Sequence, residues 1–156
     1  MSSVNYHKSL KRGFTLVEIL VSLALVSIIV VLSIPVFQSF QNRNDLDIAS
    51  TTITQSWRRA QLLSQAVSGD STWGVKIQPG NIVLFKGTSY ITRDTNYDEK
   101  FILPATIQAV SPDGATEIVF TKFDGLPQSS GSVVLSNTGN NFIRNIGINA
   151  KGTVTY

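Results

Sequence analysis

Cysteine is absent from the 156 residues, and histidine occurs once, at His7. Without cysteine there are no disulfides and no thiolate chemistry. The single imidazole lies in a short basic N-terminus, so Ser-His-Asp and Cys-His catalysis and His/Cys zinc sites are excluded for residues 14–156. No clear acid pair takes their place. The sequence therefore implies a chain that is not an enzyme and needs no cofactor.

A basic stripe is also missing. The net charge is +3, yet Lys8, Lys11 and Arg12 precede any acid; beyond them ten Lys/Arg face ten Asp/Glu. Arg58-Arg59 is the only adjacent basic pair in that remainder, with Arg144 and Lys151 further on. A nucleic-acid binder needs a basic patch dense enough to neutralise phosphates. These four side chains are too sparse for electrostatics alone, and DNA stands only as an alternative partner for the head.

What is present is one long apolar run. Residues 19–37, ILVSLALVSIIVVLSIPVF, carry no charge. That nearly meets the ~20 residues needed to span a hydrocarbon core of about 30 Å. Basic residues on its N-terminal side alone orient the leader toward the cytoplasm. A cleaved secretory signal fits less well, because the run is longer than an ordinary h-region and no small-x-small site follows it.

The residues before the run carry more detail. Lys11-Arg12-Gly13-Phe14-Thr15-Leu16-Val17-Glu18 resembles the processing motif of type IV prepilins and pseudopilins. By that resemblance a prepilin peptidase cuts between Gly13 and Phe14, and Phe14 is N-methylated. Glu18 would then pair with the N-terminal ammonium of a neighbouring subunit. A carboxylate at the edge of an apolar membrane helix is costly unless paired, which gives this role its physical sense. Pro35, twenty-second from Phe14, matches the proline such helices carry and would kink the helix or melt it locally.

Downstream, Leu46, Ala49, Ile53, Trp57, Ala60, Leu63 and Val67 keep to one helical face, with Asn44, Asp45, Thr51, Gln55, Arg58, Arg59 and Gln65 on the other. This predicts an amphipathic helix laid on a sheet, with Trp57 in the core and Gly69 just past the helix end. Short β-prone runs then alternate with turns: 73–78, 81–86, 106–110, 117–123, 132–137, 142–149 and 153–156. Residues 88–104 read as a loop or short edge strand. Asp94-Thr95-Asn96-Tyr97-Asp98 has the opening spacing of an EF-hand loop, but Glu99 and Ala105 stand where Gly and Glu are required. The motif fails, and an acidic loop of Asp94, Asp98 and Glu99 is expected instead.

The order Trp57-Arg58-Arg59-Ala60, Trp73-Gly74-Val75, Ile118-Val119-Phe120, Asp124-Gly125 and the closing Ile146–Val154 strands resembles the head of GspH/FimT minor pilins and pseudopilins. The expected fold is α+β, a long N-terminal helix on an antiparallel β-sheet head. The expected organisation is a cleaved leader 1–13, a transmembrane and polymerisation helix 14–40, an amphipathic helix 41–68 and a β-rich head 69–156. The resemblance implies a structural subunit of a type IV pilus or a type II secretion pseudopilus, with a major pilin or a DNA-uptake tip subunit as alternatives. Its implied partners are other pilin subunits, prepilin peptidase, the inner membrane and the assembly machinery. Its implied location is the inner membrane, with the N-terminus cytoplasmic and the head outside.

Overall fold

The computed structural model describes residues 13–114, 116–139 and 142–156, with backbone alone for 32–36. The fold is α+β: one long helix, α1 (Leu16–Gln65), then eight strands. The chain divides into two units, Met1–Gln38 and Ser39–Tyr156, each supplied with part of α1.

In the second unit, a helical stripe meets a β framework. Ala49, Ile53, Trp57 and Ala60 are essentially inaccessible and Leu46 nearly so, the stripe that the 3–4 spacing requires. Burial spreads wider than the apolar stripe. Ser50, Thr54, Ser56 and Ser64 are also buried, and three of them meet the cost with local bonds. Thr54 and Ser56 donate to carbonyls one turn back, at 3.0 and 2.8 Å, while the Ser64 hydroxyl accepts the Trp73 N–H at 2.9 Å. Asp45, expected on the polar side, is buried and accepts the Thr106 hydroxyl at 2.6 Å.

The helix ends earlier than expected. It stops at Gln65, and Val67, not Gly69 alone, takes the left-handed backbone (φ 51°). That conformation is a genuine outlier for a β-branched residue. A short 3-10 turn, Ser68–Asp70, follows, and the Trp73 indole donates to the Ser68 carbonyl at 2.9 Å.

The expected single sheet is two antiparallel four-stranded sheets. The first has the order β3(Asp94–Ile102)-β2(Asn81–Lys86)-β1(Trp73–Gln78)-β5(Glu117–Phe120). The second has β4(Ile107–Val110)-β6(Gly131–Asn137)-β7(Ile143–Ile148)-β8(Val154–Thr155). Pro79-Gly80 closes the β1–β2 hairpin, whose register runs Gln78 to Asn81 through Trp73 to Lys86. Both sheets send inward residues to the core under α1: Val75, Leu84 and Phe120 from one, Val133, Leu135 and Ile146 from the other.

The first sheet is covered on both faces. Val83, Phe85 and Val119, at the alternate positions, are also buried. The loop after β2 folds back over them: Tyr90 packs edge-on against Phe85 at 5.6 Å, and Arg93 lies over the Tyr90 ring at 3.7 Å. Gly74 makes room for this second, smaller core, since a Cβ there would lie 2.5 Å from Phe85 Cζ and 3.0 Å from the Ile118 carbonyl.

Two strand expectations change. The β5 strand ends at Phe120, because the Thr121 N–H turns to the Leu126 carbonyl at 2.8 Å and the hydroxyl accepts the Leu126 N–H at 3.1 Å. Of the loop and the short edge strand expected in 88–104, the edge strand holds, but longer: residues 94–102 form the nine-residue β3, in register with β2 from Asn81–Ile102 to Leu84–Glu99 and irregular beyond.

Candidate functional site

Residues 1–12, most of the expected leader, lie outside the described residues, as does the side chain of Pro35, where a kink was expected; the backbone is helical through 35. Gly13, Phe14 and Thr15 precede the helix. Thr15 is the N-cap: its hydroxyl accepts the Glu18 N–H at 3.2 Å, and its carbonyl accepts the Ile19 N–H at 3.2 Å. Thr15-Leu16-Val17-Glu18 is thus a T-x-x-E sequence, which also places Glu18 in the first turn, where the helix dipole favours a carboxylate. The T-x-x-E spacing is itself the sequence signal for this cap.

Beyond Glu18 the first unit has an exposed apolar surface. Leu16, Val17, Leu20, Leu23, Ile28 and Val31 are all more than half exposed. The serines within it are internally satisfied, Ser22 and Ser27 each donating to the carbonyl one turn back at 2.7 Å. Such bonds remove the penalty for taking a hydroxyl into an apolar medium. Phe14, Glu18, Ile19, Ser22, Leu23 and Val26 line a groove of about 300 Å³ along this helix. Among the described residues, no helix is long and apolar enough to cross a membrane.

The acidic set of the head does not converge. Asp98 receives Arg93 Nε at 2.9 and 3.0 Å, Glu99 receives Arg59 at 2.6 Å, and Asp94 accepts the Asn96 backbone and side chain. Each carboxylate is committed to a different donor. Among the described residues no group of three or more metal-ligating side chains gathers.

The basic set is also partly spent. Arg59 is held by Glu99 and Arg144 by Asp47, while Arg58 and Lys151 are exposed. Arg144 shares a cleft of about 420 Å³ with Arg43, not with Arg58, Arg59 or Lys151. At the far end of α1, Lys122 bonds Asp70 at 2.9 Å, and this hydrogen bond, with the ammonium's charge, holds the Asp70 carboxyl below its ordinary range.

Comparison with known proteins bears on the N-terminus and on the head separately. Residues 8–34 match the model of the prokaryotic N-terminal methylation motif. The fold is similar to the crystal structure of the type IV minor pilin FimU of Pseudomonas aeruginosa. The TM-score is 0.60 at 15% identity, over 74% of this chain and 90% of that one. The chain therefore carries the N-terminal methylation motif and, beyond it, a fold like that of a type IV minor pilin. At that identity the likeness to FimU is one of fold. The methylation motif spans Gly13, Phe14 and Glu18 as well as the exposed apolar face, so the pilin-like segment and the groove beside Phe14 coincide.

Proposed function

We propose that the chain is a non-enzymatic structural subunit of a type IV pilus, a minor pilin of GspH/FimT type. It is cut between Gly13 and Phe14 and methylated at Phe14. Its 14–40 helix enters the inner membrane with the N-terminus cytoplasmic and the head outside. The observation that carries this reading is the methylation motif at residues 8–34 joined to a pilin-type head. Three local features support it. Gly13 and Phe14 lie outside the helix, where a protease can take the backbone in extended form. The two serines of the stem bond internally. The stem's large apolar side chains from Leu16 to Val31 are more than half exposed among the described residues.

Packing such helices together merely exchanges lipid contacts for helix contacts, so polar pairing supplies register. Glu18 supplies it by pairing with the Phe14 ammonium of the next subunit. Domain limits at 13, 40 and 68 follow from the same reading. A place in a type II secretion pseudopilus calls for the same stem chemistry.

The test is incorporation. Full-length chain and Glu18→Ala are expressed in cells with a working assembly machine, and sheared filaments are compared with membranes by immunoblot. The expected outcome is wild type in filaments and the variant retained in the membrane fraction. Wild type absent from filaments, or equal incorporation of both, contradicts the proposal.

A further inference from the structure

The cleft of about 420 Å³ in the head is built from Arg43, Leu46 and Asp47 on α1 and Phe142, Ile143 and Arg144 at the start of β7. Its two guanidiniums are held differently. Arg144 donates to Asp47, whereas Arg43 lies over the Phe142 ring, 5.3 Å from its centroid, and no carboxylate contacts it among the described residues. With Asp47 balancing Arg144, the cleft keeps one positive charge. Ile143 in its lining is 65% exposed, and Phe40, one turn before Arg43 on the same helical stripe, is 72% exposed.

We propose that this cleft binds the phosphate of an anionic phospholipid at the outer surface of the inner membrane, seating the head on the bilayer before assembly. The inference rests on the anchored reading above. Arg43, the first charged residue after Glu18, stands six residues past Phe37, the end of the apolar run, which is about 9 Å of helix. The headgroup layer of one leaflet is roughly 5–7 Å deep, and a long Arg side chain reaches back toward it along apolar surface. An exposed aromatic beside a cation is the pairing suited to that layer, with a ring at headgroup level and a guanidinium on phosphate. An acidic peptide would use the charge but not the exposed Phe40 and Ile143.

The chain has no cysteine, so Ile143→Cys carries a polarity-sensitive dye at one position only. The processed full chain is reconstituted in vesicles of phosphatidylcholine, with or without phosphatidylglycerol, and the dye is quenched with acrylamide, a neutral quencher. The protected fraction should favour the anionic vesicles by about fivefold, the worth of one basic side chain at such a surface. Arg43→Gln should abolish that preference and Arg43→Lys should keep most of it. Equal protection in both vesicles overturns the proposal, as does a preference that survives Arg43→Gln. Protection that rises with protein density at fixed lipid composition assigns the cleft to a neighbouring subunit and also overturns it. A chain that sediments with neither vesicle removes the anchored reading itself, and this inference with it.

Discussion

One helix lives two lives in this molecule. Over Leu16–Val31 its large apolar side chains are between 52% and 75% exposed, whereas from Leu46 to Ala60 the inward stripe is at most 4% exposed. Backbone and period are the same, so the difference lies in what each stretch is given to pack against. The head supplies two sheets; within its own unit the stem's large apolar side chains stay more than half exposed. A helix that is apolar all round requires a membrane or other helices as its solvent. Stability of the head and function of the stem should therefore separate under mutation.

The largest separation is expected from Trp57→Ala. Removing a fully buried indole should cost the head about 3–5 kcal/mol in denaturant unfolding, while Leu20→Ala in the stem should leave the head's midpoint unchanged. Trp57→Phe sharpens the point. Among the described residues the indole N–H has no hydrogen-bond partner, so Phe forfeits ring volume but no bond and should cost much less than Ala. A stem substitution that shifts the head's midpoint as far as Trp57→Ala would break the comparison.

Gly74→Ala is the next largest, about 1–3 kcal/mol, because the added methyl overpacks against Phe85 and the Ile118 backbone. Thermal unfolding with near-UV circular dichroism would measure it, and an unshifted transition would mean the second core is loose. On the stem side, Thr15→Ala should weaken the helix start by roughly 1 kcal/mol. Hydrogen exchange at the Glu18 and Ile19 amides, in micelles, should accelerate while the head's amides stay protected.

The smallest effect is electrostatic. The Lys122 hydrogen bond lowers the Asp70 carboxyl pKa, so the pair favours the folded head at pH above the ordinary carboxylate value of 3.8. That contribution fades as pH falls through the lowered folded value. Lys122→Ala should move the Asp70 titration upward by NMR, toward the ordinary value, with little change in unfolding because the pair is exposed.

Sequence legibility followed the range of the interactions. Trp73–Gln78 and Asn81–Lys86 were readable as strands because Pro79-Gly80 punctuates them and their pairing is local. The Leu46–Ala60 stripe was readable because helical period is a property of neighbours. β3 was left open between a loop and a short edge strand because Asp94-Thr95-Asn96-Tyr97-Asp98-Glu99-Lys100 has neither alternation nor β-branched density; it is a strand because β2 offers it an edge. The division into two sheets depends on pairings such as β4 with β6 that no local pattern announces. Burial of Asp45 was missed for the same reason, since its partner Thr106 is sixty-one residues away. At the candidate site, the T-x-x-E cap was legible but overshadowed by the processing motif that contains it. The Arg43 cleft was not legible, because it needs β7 laid beside α1.

The central claim is that the stem is made by removal of the leader at Gly13 and is then kept. Intact-mass analysis of the membrane-extracted product, from cells with working maturation enzymes, tests it most directly. The account predicts one species beginning at Phe14 and carrying one added methyl group. Full-length precursor alone, or a product trimmed downstream of the apolar run, would contradict it.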